Sequence, residues 1–270
     1  MAGSAGLRSS ETADGAAEAP DSRRSRDDSR GLRRGGGSGA CHAQEGEQPT
    51  ADQAALFARV IDDLASAGIT AEFAHTANSA AMLRSRAYDR DLVRLGIAMY
   101  GLNPSSAVPV SAGMRPAMTL ISRIRRLSKI ELGEGVSYGA EYRAAKSETV
   151  ALVPIGYADG YRRALSNLGW MSVSGARCPV RGRICMDQTV IGVPDDAEFD
   201  VGDTVIVAGD SDFGSVPSLQ QLAELSGTIN YEIAAGIERR VTRYYIRGGA
   251  VIGIEDLLGF RSLTPPTTNV

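Results

Sequence analysis

Cysteine and histidine, the residues most often used to hold transition metals, are rare in this 270-residue chain, which has three cysteines and two histidines. The cysteines, at positions 41, 178 and 185, include no Cys-x-x-Cys pair, so a zinc site is not expected and the thiols are expected to be reduced. The acidic stretch 195–203 lacks the ligand spacing of a calcium loop. The sequence therefore predicts no bound metal.

Long apolar runs and an excess of positive charge are also missing. No run of about 18 apolar residues occurs, so no transmembrane helix is predicted. The start of the chain has no apolar core of a secretory signal, and its acidic residues argue against a transit peptide, so a cytoplasmic location is expected. With a net charge of -3 and a pI near 5.6, the chain has no basic footprint for nucleic acid.

Large apolar residues are absent from the beginning of the chain. Residues 1–50 contain no Phe, Trp, Tyr, Ile or Val, and the stretch 22–39 is almost entirely Ser, Arg, Asp and Gly. Such a segment cannot bury enough apolar surface to offset the entropy that is lost on ordering. The sequence predicts a disordered low-complexity leader over 1–50 and a short disordered tail over 261–270.

The pattern changes at Asp52, where apolar residues begin to recur at helical spacing as far as Gly68, a typical stop signal. Asn78 or Ser79 can cap a second helix. The predicted elements are a helix over 52–67, a strand over 71–75, a helix over 80–86 and an apolar strand, buried on both faces, over 92–100. This alternating order predicts βα architecture with a parallel sheet.

Beyond the loop 102–114 the sequence becomes rich in strand-forming residues separated by Gly, Pro and Asp turns. The β-rich stretches are 117–130, 134–143, 148–155, 178–193, 203–208 and 238–252, with one helix near 218–225. The sequence thus predicts an α+β, multidomain chain, in which a βα segment over 51–104 precedes a mostly β domain over 115–260.

Four motifs in this second half contain residues that can do chemistry. They are Gly-Val-Ser-Tyr-Gly at 135–139, Pro-Ile-Gly-Tyr-Ala-Asp-Gly at 154–160, Gly-Arg-Ile-Cys-Met-Asp-Gln at 182–188 and Thr-Ile-Asn-Tyr-Glu at 228–232. Together they resemble the C-terminal β-domain of the alanine racemases, and the resemblance runs from about 52 to 258. It implies an isomerase that interconverts L- and D-alanine, a cell-wall precursor, by two-base proton transfer on the aldimine of pyridoxal 5'-phosphate (PLP).

In that family an N-terminal (β/α)8 barrel holds PLP, and the C-terminal β-domain of one subunit packs over the barrel of the other in a homodimer. The resemblance implies that 71–101 are the last two barrel strands, a remnant of the PLP-binding barrel. Barrel enzymes frequently bind phosphate with the loops after their seventh and eighth strands. The resemblance assigns the PLP phosphate to Ser79, Gly96, Ile97 and Tyr231. From the residues alone, a helix cap is the preferred explanation of Ser79.

Arg94 matches the arginine that faces the pyridine nitrogen of PLP in the family. Arginine does not release its proton at accessible pH, so it would donate a hydrogen bond without creating a pyridinium, which limits delocalisation into the ring. The alternative from sequence alone is a structural arginine that pairs with a carboxylate.

Tyr138 matches one of two opposed catalytic bases, the one that takes the α-proton from L-alanine. A phenol is a weak base at neutral pH unless nearby cations stabilise its anion. The resemblance also assigns Met186 to the substrate carboxylate through its backbone N–H, Tyr157 to a narrow entrance and Asp187 to the entry route. The alternatives are an aromatic residue at a strand turn and ordinary surface residues.

The lysine that forms a Schiff base with PLP in this family has no counterpart in the sequence. The chain has two lysines, Lys129 and Lys146, and both fall in the predicted β-domain. A complete barrel needs roughly 200 to 250 residues, whereas only the segment 51–104 precedes the β-domain here. We expect the isolated chain to form no Schiff base at the proper site and not to racemise alanine.

Three hypotheses about function stay open. The chain is the C-terminal fragment of an alanine racemase, or a subunit of a split racemase whose barrel is a separate chain, or a non-catalytic association module. The first is preferred, because a module that only binds has no physical need for the residues of a catalytic site. In each case exposed strand edges and an open barrel remnant should promote association.

Overall fold

The computed structural model of the protein describes residues 47–111, 113–210 and 216–263. Most of the predicted leader and the end of the predicted tail lie outside the described residues. At both boundaries the structure corrects the prediction, because the first helix already includes 47–50 and the last strand continues to Ser262. Thr50, near this start of the helix, is fully buried.

The described residues contain four α-helices: α1 (Glu47–Ser66), α2 (Ser79–Arg84), α3 (Leu219–Leu225) and α4 (Asn230–Ala235). The first three match predicted helices, whereas α4 was not predicted. Short polar side chains fix two of the starts. Asn78 accepts a hydrogen bond from the N–H of Ala81 at 3.0 Å, and Ser218 accepts one from the N–H of Gln221 at 3.1 Å. None of these helices combines the length and the apolar character needed to cross a membrane.

The two strands predicted within 51–104 are not continuous strands in the structure. Within the described residues this region has a single parallel bridge, between Asn78, which follows the predicted strand 71–75, and Arg94. The run after Arg94 forms a 3-10 helix over Ile97–Tyr100. Leu92, expected to be buried on both faces, is 40% exposed. An isolated pair of strands is marginally stable, and no other described strand extends this one. The predicted strands over 71–75 and 92–100 were therefore wrong, and only the parallel direction of the one bridge agrees with the predicted parallel sheet.

The described residues beyond 117 form a mostly antiparallel β structure, as predicted. Its strands are β1 (Leu120–Arg123), β2 (Arg126–Ile130), β3 (Gly135–Val136), β4 (Tyr142–Arg143), β5 (Glu148–Val153), β6 (Trp170–Val173), β7 (Ala176–Pro179), β8 (Thr189–Gly192), β9 (Thr204–Ala208), β10 (Arg243–Arg247), β11 (Ala250–Asp256) and β12 (Gly259–Ser262). One sheet has the order β1-β9-β6-β7, a second β2-β5-β8 and a third β10-β11-β12, and β3 pairs with β4 as a hairpin.

A single large core joins the first two sheets to α3 and α4. Its members include Ala151, Val153, Met171, Val173, Ile191, Val205, Val207, Leu219, Leu222 and Ile233. A second, smaller cluster lies under the β3–β4 hairpin and contains Ile130, Val136, Ala144 and Val150. The hairpin that bears Tyr138 is therefore anchored by its own apolar contacts.

The prediction located most strands but merged or missed several. The stretch 117–130 is broken between β1 and β2, and 178–193 contains strand only at its two ends, in β7 and β8. β6 was missed because all four of its residues are buried, so its short sequence shows no alternation of apolar and polar residues.

We expect Ile191→Ala to lower the free energy of unfolding by about 2–5 kcal/mol, because Ile191 is fully buried in the large core and its truncation leaves a cavity. The matched control is Leu258→Ala, since Leu258 is 91% exposed and its loss should change stability by less than about 0.5 kcal/mol. Urea denaturation followed by circular dichroism measures both. Equal losses in the two variants would contradict this packing.

Candidate functional site

Tyr138 lies at the turn of the β3–β4 hairpin, in a 3-10 turn over Tyr138–Ala140. Its side chain is 72% exposed. The preceding residue, Ser137, has φ 63° and ψ -175°, a conformation that costs a residue other than glycine about 1–3 kcal/mol. The exposed tyrosine is thus presented by a backbone that other contacts must hold in place.

Tyr157 and Met186 lie on two loops that dock through their backbones. The N–H of Tyr157 donates to the carbonyl of Cys185 at 3.1 Å, and the N–H of Ala158 donates to the carbonyl of Met186 at 2.8 Å. Gly156 permits this approach, because a Cβ there would lie 2.2 Å from the Cys185 carbonyl oxygen. The Tyr157 and Met186 side chains stay accessible, at 42% and 57% exposed. The structure therefore brings these two predicted residues together.

Asp159 holds the Tyr157 loop closed, and sequence reasoning missed it. Its carboxylate accepts the N–H of Gly156 at 2.8 Å and the Nε–H of Arg240 at 2.7 Å. The Asp159 hydrogen bond, with a smaller contribution from the charge of Asp187, raises the pKa of Arg240. The Gly-x-x-Asp spacing, which places an acidic residue at the third position of the turn, was the available signal. Asp187 itself is exposed on the same side of the β-domain.

The Tyr138 hairpin is tied to the loop of Met186 by two contacts. The Ser137 hydroxyl donates to the Arg183 carbonyl at 2.6 Å. The Arg183 guanidinium pairs with Glu141, and this hydrogen bond lowers the pKa of the Glu141 carboxyl. Tyr138 and Met186 therefore sit on parts of the backbone whose relative position is fixed.

Ser79, Gly96 and Ile97 come together where the two bridged segments of the βα region meet. The Ser79 Oγ accepts the N–H of Gly96 at 2.9 Å and the N–H of Ala98 at 3.4 Å, and Ser79 is only 4% exposed. The cap of α2 is Asn78, so the Ser79 hydroxyl is not simply a helix cap.

Arg94 lies at the parallel bridge, and its guanidinium is partly buried within the βα segment. Its Nη2 donates to the Thr76 carbonyl at 2.8 Å, while its Nε is buried with no hydrogen-bond partner among the residues that the structure describes. The Nδ1 of His75 is buried and unpartnered in the same way. A buried polar group without a partner costs about 1–3 kcal/mol, so this segment contains groups that call for a further partner.

Tyr231 lies on α4, where partial burial raises the pKa of its phenol. α4 is joined to the loop after the βα segment, because the Asn230 side chain donates to the Asn103 carbonyl at 2.8 Å. Across the described ranges, no hydrogen bond or ion pair links Ser79 and its neighbours to the Tyr138 hairpin. The predicted site residues thus form two separate groups within one chain.

Comparisons with known proteins match two parts of the chain. Residues 117–245 match the alanine racemase C-terminal domain, and residues 37–104 match the alanine racemase N-terminal domain. The chain belongs to the alanine racemase family. It contains the C-terminal part of the family's fold, which confirms the predicted fold class of a barrel remnant followed by a mostly β domain.

Individual racemases show how much of the family's length is present. The alanine racemase of Halothermothrix orenii is 40% identical over 196 residues, which are 73% of this chain and 52% of the relative. The crystal structure of the Bacillus anthracis alanine racemase with bound L-Ala-P aligns with a TM-score of 0.73 at 37% identity, over 81% of this chain and 55% of that one. The structure of the Streptomyces coelicolor A3(2) alanine racemase aligns with a TM-score of 0.70 at 38% identity, over 75% of this chain and 53% of that one. The chain spans about half the length of these racemases.

Gly156→Ala tests the docking of the two loops. We expect it to destabilise the protein by about 1–3 kcal/mol, since its Cβ would collide with backbone that has no room to move, and to shift the amide resonances of Tyr157 and Ala158. Gly113→Ala is the control, because nothing lies within 4 Å of its Cβ position. Denaturation and amide NMR spectra measure the two effects. Unchanged resonances in Gly156→Ala would show that the loops are not in contact.

The two thiols of the described β-domain should react at different rates. Burial raises the pKa of Cys178 to about 11, so at pH 8 this thiol is protonated and poorly nucleophilic, whereas Cys185 is partly exposed. In a Cys41→Ser background we expect Ellman's reagent to modify Cys185 in the folded protein. Cys178 should react only after unfolding, or as the pH rises toward 11. Rapid modification of both thiols at pH 8 would contradict the burial of Cys178.

Proposed function

We propose that this chain supplies the C-terminal part of a PLP-dependent alanine racemase, an isomerase that interconverts L- and D-alanine in the cytoplasm for cell-wall synthesis. The observation that supports this most is the interlocking of the hairpin of Tyr138 with the loops of Tyr157 and Met186. An identity of 40% to a curated alanine racemase supports the same chemistry.

The polar groups of the βα segment fit PLP. Among the residues that the structure describes, the buried Nε–H of Arg94 has no acceptor. A pyridine nitrogen could accept this hydrogen bond while the arginine keeps its proton. The Ser79 hydroxyl proton and the backbone N–H of Ile97 suit a phosphate group, with the Tyr231 hydroxyl as a further donor. The N–H of Gly96, also assigned to the phosphate, would have to exchange the Ser79 oxygen for a phosphate oxygen. When bound, PLP would supply an electron sink for the charge that develops at the α-carbon of the amino acid.

Tyr138 would move a proton at the α-carbon. Racemisation takes a proton from one face and returns one on the other, so it needs two groups on opposite sides. In our proposal Tyr138 takes the α-proton of L-alanine and a lysine serves the opposite face. The 72% exposure of Tyr138 leaves its hydroxyl free to enter a site on another surface.

Three further residues would bind and select the substrate. The backbone N–H of Met186 would orient the carboxylate of alanine, while the Tyr157 ring would narrow the entrance and Asp187 would lie along the entry route. Tyr157 and Met186 lie on loops joined by backbone hydrogen bonds, so the main chain that carries each of them is fixed. A rigid, narrow entrance favours a small amino acid.

The site is composite in this proposal. Tyr138 and Met186 are exposed, and in the described residues no hydrogen bond or ion pair joins them to Ser79 or Arg94. This supports a homodimer in which the β-domain, 115–260, completes the barrel site of the partner subunit, and in which 51–104 is the remnant of a barrel.

The second catalytic group must come from further barrel strands. Lys146 pairs with Asp195, and the Lys129 amino group lies 3.8 Å from Glu131, so both lysines of the sequence are ion-paired on the surface of the β-domain. We propose that a lysine-bearing barrel segment, in the same polypeptide or in a separate barrel chain, completes the enzyme. The 270 residues alone would then be inactive.

Co-expression tests the proposal. The 270-residue protein alone should neither racemise alanine nor form a stoichiometric, borohydride-trapped adduct with PLP. Co-expressed with the N-terminal half of the Halothermothrix orenii racemase, it should co-purify and convert L- to D-alanine. In that complex Tyr138→Phe should lower the rate about 10²- to 10⁴-fold, the usual contribution of a positioned acid or base. Tyr244→Phe, at a 59% exposed tyrosine of β10, is the matched control.

The outcomes separate the alternatives. Racemisation by the 270-residue protein alone would contradict the composite site. Full activity in Tyr138→Phe would contradict the role of this tyrosine. A stable complex that binds PLP but never racemises alanine would contradict the proposed function and favour a non-catalytic association module.

A further inference from the structure

Ser137 stands out because its strained backbone lies immediately before Tyr138, an exposed residue of the proposed site. Its φ of 63° falls where glycine is favoured. The side chain of Tyr138 is 72% exposed, so packing against neighbours in this chain does little to aim it. The direction of its Cα–Cβ bond is therefore set by the backbone on either side.

One side-chain hydrogen bond opposes the relaxation of this backbone. The Ser137 hydroxyl donates to the Arg183 carbonyl at 2.6 Å, a short and well-formed hydrogen bond between segments 46 residues apart in sequence. The Cys185 sulfur lies 3.4 Å from the Ser137 hydroxyl oxygen. The hydroxyl is thus enclosed by the loop that continues to Met186.

The two segments also fit closely at their backbones. At Gly182 a Cβ would lie 2.6 Å from the Val136 carbonyl oxygen and 3.1 Å from the Ser137 Cβ. At Gly139 a Cβ would lie 3.2 Å from Nη1 of Arg183. Contacts before and after Tyr138 therefore leave the turn little freedom while the Ser137 hydrogen bond is intact.

We propose that Ser137 is a positioning residue, which fixes the orientation of the Tyr138 phenol relative to the Met186 backbone through its hydrogen bond to the Arg183 carbonyl. The functional meaning of this role rests on the proposed function of Tyr138 as a base. The orientation itself does not, because it follows from the strain and the hydrogen bond alone. Loss of the hydroxyl lets the turn relax into several conformations and moves the phenol.

The test uses the full chain with a single 3-fluorotyrosine at position 138 and reads the ¹⁹F NMR line of the phenol. We expect one narrow line with Ser137 present, and a line broadened about two-fold or split in Ser137→Ala, because relaxed and strained turns interconvert. The matched control is Ser174→Ala, another serine with positive φ, at the turn between β6 and β7. In Ser174→Ala the ¹⁹F line of the tyrosine at position 138 should keep the width and shift that it has in the parent protein.

Ser137→Gly keeps the test decisive if Ser137→Ala does not fold. Glycine adopts a φ of 63° freely, so this variant removes the hydroxyl without adding strain. Ser137→Gly should also broaden or split the ¹⁹F line of the tyrosine at position 138. A line indistinguishable from that of the parent protein in every folded Ser137 variant would overturn the proposal, as would equal broadening in Ser174→Ala.

A second readout separates this proposal from the proposed function. In a complex that racemises alanine, Ser137→Ala should lower kcat about ten- to hundred-fold with little change in KM, since misplacement of a reacting group by about 1 Å can cost about a hundred-fold in rate. Unchanged kcat would overturn the positioning role. If no complex is active, the proposed function fails, and the ¹⁹F line still decides whether Ser137 orients Tyr138.

Discussion

The contact between two backbones at Gly156 is the constraint on which the β-domain site depends. The loops of Tyr157 and Met186 meet through N–H and carbonyl groups at a separation that leaves no space for a side chain. Because the main chain makes the joint, the Tyr157 and Met186 side chains stay outside it and accessible. The Asp159 carboxylate stabilises the Tyr157 loop by accepting hydrogen bonds from the Gly156 N–H and from Arg240. The hairpin of Tyr138 is fastened to the other loop.

The sequence predicts those features that depend on neighbouring residues. The caps at Asn78 and Ser218 mark helix starts because each acts on a residue three positions away, and the motifs that resemble a family are continuous. Contacts between distant segments leave no such local pattern. The Asp159 contact to Arg240 spans 81 residues, and the Ser137 contact to Arg183 spans 46, so neither residue could be assigned its role from the chain alone.

The apolar run at 92–100 shows a different limit of sequence reasoning. Its composition is that of a strand in the interior of a parallel sheet, yet a strand of this kind exists only when neighbours pair with both edges. In the described residues it has a single bridge, and it continues as a 3-10 helix. The composition therefore predicts paired neighbours on both edges, whereas the described residues provide only one bridge.

The Ser79 hydroxyl has one further property. A hydroxyl has two acceptor lone pairs and one proton, and the N–H groups of Gly96 and Ala98 occupy the acceptor side. What this oxygen can still offer to an incoming molecule is its proton. Ser79 can therefore donate a hydrogen bond to an incoming acceptor, such as an anionic oxygen, but has no lone pair left for an incoming donor. The direction of this one hydrogen bond already favours ligands that accept over ligands that donate.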